Sequence, residues 1–200
     1  MRKASRRILM VALGGISLLW PISARTEDRP AVLGVSHVSL QVRDLDAARG
    51  FYAGLLGYEE PFILQKADGS VERAIFKVND RQFIEISPDL PTWQDERLAH
   101  VALQTTDAEA MRVYLREKGV LVPESAAAGK DGNRSITVKD PDGHWIEFVE
   151  HTLDSRHAGA KGKYISAQRI SDRILHVGIT VRNPEAADRF YKDILGLSEI

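Results

Sequence analysis

The chain has 200 residues, 44 % hydrophobic and 28 % charged, with a formal net charge of −1 and no cysteine. That length and balance fit one or two soluble globular domains with a sizeable core. They exclude disulfides, thiolate metal ligands and a thiol nucleophile, and with no basic run beyond the first residues there is no footing for nucleic acid.

In chain order, Arg2, Lys3, Arg6 and Arg7 precede an uncharged apolar run, residues 8–20, and then "PISA". A basic head, a short apolar middle and a small-residue end form the pattern of an export signal, here cut after Ala24. The run falls short of the about 20 residues a membrane span needs. An uncleaved anchor is the other reading of the same run. Removing residues 1–24 leaves 25–33 as a mature N-terminal segment and, with four basic residues gone, takes the net charge from −1 to −5. "SRRILM" resembles a twin-arginine signal, with Leu9 where that motif favours Phe. The expected location is periplasmic or secreted, with no stable membrane association once the signal is cut.

Residues 36–60, "SHVSLQVRDLDAARGFYAGLLGYEE", return without gaps within residues 175–200, "LHVGITVRNPEAADRFYKDILGLSEI"; His37 falls on His176 and Gly57 on Gly196, both 139 positions on. Alternation of Val38, Leu40 and Val42 with His37, Ser39 and Gln41 predicts a strand. Asp44 is a helix N-cap, and Leu45, Ala48, Phe51, Tyr52 and Leu55 make an apolar helical stripe that Gly57 stops. In the later copy Asn183-Pro184 is a cap followed by proline at the first helical position.

Strands follow at residues 58–65, 71–78 and 82–87, with "KADGS" and "ND" as turns. Residues 97–120, "RLAHVALQTTDAEAMRVYLREKGV", echo the strand–cap–helix–glycine pattern, and residues 121–122, 135–139 and 144–151 supply further strands. The chain therefore reads as α+β: two βαβββ units at about 34–90 and 97–151, a polar glycine-containing linker at 152–172, and the start of a third unit at 173–200. The third unit stops in its second strand, so the chain reads as the N-terminal part of a two-module protein.

Successive strand side chains alternate between faces. His37 shares a face with Ser39 and Gln41; Glu85 with Phe83 and Ser87; His100 with Ala102 and Gln104. Glu147, between Ile146 and Phe148, shares its face with Trp145 and Val149. A one-residue slip would bury each of these polar groups under a helix, so register gives the pattern its meaning. A lone strand histidine is usually structural and a lone glutamate usually solvated. Four at equivalent strand positions converge as two imidazoles and two carboxylates, a site for a divalent ion with room for water. His144, His151 and His157, in a turn, at a strand end and in the linker, read as structural. Trp145 and Phe83 either line an apolar pocket or fill the barrel.

The βαβββ repeat, "HVSLQVRDLDAARGFYAGLLGYE", "HVALQTTD" and "DPDGHWIEF" resemble the vicinal oxygen chelate superfamily, which includes glyoxalase I, extradiol dioxygenases, fosfomycin-modifying enzymes and bleomycin-binding proteins. The resemblance covers residues 34–151 as a complete module and 174–200 as the start of another. It implies paired βαβββ units forming a cup-shaped incomplete barrel. It implies His37, Glu85, His100 and Glu147 as metal ligands, a set similar to that of bacterial glyoxalase I, holding Ni, Co, Zn, Mn or Fe. By the same resemblance the chemistry is a lyase or isomerase proton transfer on a small molecule with vicinal oxygens, Glu147 acting as base with Glu85 as partner. Two positions depart from the glyoxalase pattern: Gln41 stands where those enzymes carry Arg, and Asp89 where they carry Asn. Both help hold glutathione there, so a different substrate is expected. The other readings are an iron-dependent dioxygenase using His37, His100 and Glu147, with His176 as a ligand candidate in the later module, and a non-enzymatic small-molecule binder. Such relatives build the cup within one chain or exchange units between two, which leaves a homodimer open.

Overall fold

The computed structural model describes residues 28–199, so the export signal read at residues 1–24 lies outside the described residues. The strands are β1 (Val32–Gln41), β2 (Glu59–Gln65), β3 (Val71–Lys77), β4 (Phe83–Ser87), β5 (Leu98–Thr105), β6 (Ala127–Ala128), β7 (Arg134–Lys139) and β8 (Trp145–Glu150). The helices are α1 (Leu45–Arg49), α2 (Ala108–Glu117), α3 (Arg156–Gly159) and α4 (Pro184–Asp188). Among the described residues no helix is long and apolar enough to cross a membrane.

Both βαβββ units join one mixed sheet of order β2-β3-β4-β1-β5-β8-β7-β6. Within each unit the helix crossover makes first and last strand parallel, β1 with β4 and β5 with β8, while β1 and β5 meet antiparallel at the centre. The sheet curls into a half-barrel. Its convex face carries the helices: Ala74, Phe76 and Ile86 pack with Ala48 of α1, and Val101, Leu103, Ile146 and Phe148 pack with Met111 and Leu115 of α2. Burying each large side chain of this kind contributes about 1.5–3 kcal/mol, which holds the register. Asp44 and Asp107 cap α1 and α2, each carboxylate accepting from the amide three residues on at 2.9 Å.

The structure departs from the sequence reading in several places. Alpha-helical bonding ends at Arg49 and continues as a π-helical turn, Gly50–Leu55, closed by Leu56 N–H donating to Phe51 C=O at 2.9 Å. Bonding five residues apart breaks the 3.6-residue period. Phe51 and Leu55 are consequently 48 % and 71 % exposed, whereas Tyr52 and Leu56 pack inward. Residues 121–122 form no strand; Pro123 has no N–H for a ladder, and the edge pairing falls to β6. Residues 175–181, read as the first strand of a third unit, form no ladder. Val177, Ile179 and Val181 instead face Val35, Val101, Leu103 and Ile146 across an apolar groove.

Residues 152–163, inside the segment read as a linker, plug one end of the half-barrel. Lys77, fully buried, donates from Nζ to the carbonyls of Ala160 and Lys163. Arg156 Nη1 donates to Ile63 C=O at 2.8 Å, and the His157 ring lies 4.2 Å from that of Phe83.

Candidate metal centre

His37, Glu85, His100 and Glu147 sit on β1, β4, β5 and β8, the four central strands, and all face the concave side. Register spaces them. Ser39 lies opposite both Glu85 and His100, and Ala102 opposite both His37 and Glu147, so small side chains alternate with the polar ones in a checkerboard. The small residues leave the volume into which the imidazoles and carboxylates lean.

Three of the four meet at a point. His37 Nε2 lies 3.0 Å from His100 Nε2 and 3.0 Å from Glu147 Oε2, and His100 Nε2 lies 3.1 Å from the same oxygen. Among the described residues this trio is the group of side chains close enough together to hold one ion. Glu85 stands just outside it, with Oε1 3.7 Å from His37 Nε2 and Oε2 4.0 Å from His100 Nε2. Arg73 of β3 holds it there through Nη1, 3.3 Å from Oε2. Arg73 went unnoticed in the sequence, although period-two alternation puts it on the face of Ile75, which pairs with Glu85.

The trio fits a divalent cation. An ion bound to nitrogen and oxygen at about 2.1 Å with right angles separates neighbouring donors by about 3.0 Å, so the triangle has the dimensions of one coordination face. Glu147 Oε2 is buried and, despite its closeness to both rings, makes no directed hydrogen bond. A buried carboxylate oxygen without a partner is costly unless a cation or proton satisfies it. Burial by itself pushes the Glu147 carboxyl up, but the imidazoles of His100 and His37 outweigh it and hold the group well below the usual carboxylate range. Burial likewise presses His37 down, and Glu85 followed by Glu147 reverses the effect, leaving its pKa raised. Each group favours the ionised state of the other.

A cavity of about 350 Å³ lies against His37, Glu85 and Glu147, bounded by Arg73, Lys130 and Thr137. Lys130, in the turn between β6 and β7, bonds Glu72 and donates to Gln65 C=O at 3.0 Å, tying the two outer walls together over it. On the His100 side a second cavity of about 650 Å³ opens past Gln41, Gln94, Trp145 and Arg182. Trp145 lines that space and stacks under Lys139, whereas Phe83 is fully buried beneath His157 and fills the barrel. His144 bonds Asp140 within its turn at 2.8 Å, and His176 is exposed on the C-terminal segment.

Residues 34–148 match the model of the family described as the glyoxalase/bleomycin resistance protein/dioxygenase superfamily. The metallothiol transferase FosB of Lysinibacillus sphaericus is 27 % identical over 129 residues, 62 % of this chain and 87 % of that protein. A lactoylglutathione lyase of Neisseria meningitidis is 27 % identical over 124 residues, 57 % of this chain and 88 % of that one. Among solved structures, the Mn(II)-bound glyoxalase of Novosphingobium aromaticivorans superposes with a TM-score of 0.64 at 23 % identity, covering 84 % of this chain and 54 % of that one.

Proposed function

The chain belongs to the glyoxalase/bleomycin resistance protein/dioxygenase superfamily, and from that premise we propose that it is a divalent-metal-dependent enzyme of glyoxalase type. It transfers a proton, as a lyase or isomerase, on a small substrate with vicinal oxygens and without glutathione. The carrying observation is the triangle of His37, His100 and Glu147 with Glu85 at its rim, open to a cavity of substrate size.

His37, His100 and Glu147 would hold a divalent ion, which would supply positive charge to a substrate oxygen as the neighbouring carbon loses its proton. Glu147, kept ionised by the imidazoles, has Oε1 to receive that proton while Oε2 stays in the triangle. Glu85, steadied by Arg73, serves as the second acid–base on the same cavity wall. The two positions that depart from the glutathione-binding pattern are engaged locally: Gln41 accepts from Gln94 at 3.4 Å, and Asp89 pairs with Lys66 at 2.6 Å. That supports a substrate other than a glutathione adduct.

One observation favours a second reading, an extradiol-type dioxygenase. Glu85 stands outside the triangle, leaving two histidines and one carboxylate with open positions. Metal content of the purified full chain, isomerisation of 2-hydroxy-ketone adducts and oxygen uptake with a catechol panel separate the two. Glu85→Gln is expected to lower an isomerase rate by about 100-fold or more and to leave a dioxygenase rate nearly intact. A chain that holds no divalent metal and turns over neither substrate class is a binder, and the enzyme reading falls.

The proposed place of action is outside the cytoplasm, on the strength of Arg6-Arg7 and the apolar run that follows. Arg6→Lys with Arg7→Lys is expected to block export, and undiminished export removes the twin-arginine route.

A further inference from the structure

His151 was assigned no role by the sequence, yet the fold places it one hydroxyl away from the metal triangle. The pairing of β1 with β5 shifts between Val35 and His37, leaving Ser36 as a bulge. A bulge re-aims a side chain. Ser36 is fully buried, with Oγ 2.9 Å from His151 Nε2 and 3.5 Å from His37 Nδ1.

Two proton arrangements satisfy this line, and only one of them suits a cation. Burial first, then the neighbouring His157 and His37, drives His151 down to about 4, so its imidazole is neutral and Nε2 can accept. In that arrangement Ser36 Oγ–H donates to His151 Nε2, and the oxygen accepts the Nδ1–H of His37. A histidine protonated on Nδ1 carries its lone pair on Nε2, the atom that His37 turns to His100 and Glu147. The opposite polarity would aim an N–H into the triangle and repel a cation. The far end of the line is fixed too: the rings of His151 and His157 stack at 5.7 Å with a 4° tilt, and His157 Nδ1 is 2.8 Å from Asn133 Nδ2 and 3.2 Å from Asp131 Oδ2.

We infer that Ser36 and His151 are positioning residues for His37, setting the tautomer that presents its Nε2 lone pair to the ion. The inference rests on the metal-centre reading, because it assigns these residues a purpose toward that ion. Outer partners of metal-bound histidines typically contribute about 10–100-fold in affinity.

The test measures Zn²⁺ affinity of the full chain by chelator competition, together with ¹⁵N shifts of the histidine rings in metal-free protein, followed upward in pH until the His37 ring is neutral. Ser36→Ala and His151→Phe are each expected to weaken Zn²⁺ by about 10–100-fold, and the double variant to be no weaker than Ser36→Ala. His151→Gln, whose amide oxygen can still accept from Ser36, is expected to recover most of the loss. In metal-free Ser36→Ala the His37 ring is expected to shift from the Nδ1–H form toward Nε2–H. Unchanged affinity in both single variants, or an unchanged His37 tautomer in Ser36→Ala, overturns the inference. If the unsubstituted chain binds no Zn²⁺ at all, the metal reading falls, while the ring shifts still decide whether Ser36 sets the tautomer.

Discussion

The two copies of one sequence motif, residues 36–60 and 175–199, build the same cap, helix and π-turn and take opposite tertiary parts. α1 and its π-helical turn end at Arg49 and Leu55; α4 and its π-helical turn, Arg189–Ile194, end 139 positions later at Asp188 and Ile194. Asp44 and Asn183 cap the two helices alike, at 2.9 and 3.1 Å. The strand before the helix is another matter. In the first copy it is β1, paired on both sides at the centre of the sheet; in the second it forms no ladder. Helix, cap and π-turn bonds close within a dozen residues, so sequence alone can specify them. A strand exists only where another edge accepts its hydrogen bonds.

The sharpest way to break this comparison is the histidine pair. His37→Ala is expected to lower Zn²⁺ affinity by more than about 100-fold, beyond what losing an outer partner costs, while His176→Ala leaves it unchanged. Equal effects in chelator competition would mean that the second copy shares the site.

Next in size is the phenylalanine pair. Phe190 is buried with Leu195 against Tyr114 and Leu115, and Tyr114 Oη donates to Ile194 C=O at 2.8 Å. Phe190→Ala is expected to cost about 3–5 kcal/mol in denaturant unfolding. Phe51→Ala, at a half-exposed position, is expected to stay within about 0.5 kcal/mol. A large loss at Phe51 would place that face in an undescribed contact.

The glycine stops come third. Gly57 and Gly196 both have positive φ, 75° and 66°, so alanine at either carries about 1 kcal/mol of strain or more. At Gly57 an added Cβ also meets the Gln168 carbonyl oxygen at 2.7 Å, which is backbone; at Gly196 it meets the end of the Arg29 side chain at 2.9 Å, which can move. Gly57→Ala should therefore lower the thermal midpoint more than Gly196→Ala. A reversed order would show that strain at the turn, and not the backbone approach, dominates.

The smallest effect is the caps. Asp44→Ala and Asn183→Ala are each expected to cost about 1 kcal/mol, and near-equal values would confirm that this part of the motif is local.

Period-two alternation around His37, Glu85, His100 and Glu147 was legible in the sequence, and with it the face each side chain takes, because a strand's side-chain direction follows from parity alone. So were Asp44, Asn183 and Gly57 as helix punctuation, because caps and left-handed stops act over three or four bonds. The convergence of His37, His100 and Glu147 to about 3.0 Å, the exclusion of Glu85 by Arg73, and the Ser36–His151 line were decided only by the tertiary structure. These contacts join residues on separate strands, up to 115 positions apart, and their distances depend on how far the sheet curls and where β1 bulges. The local code states which side of a strand a group occupies. Which group it meets across the cup is set by the packing of the whole sheet against its helices.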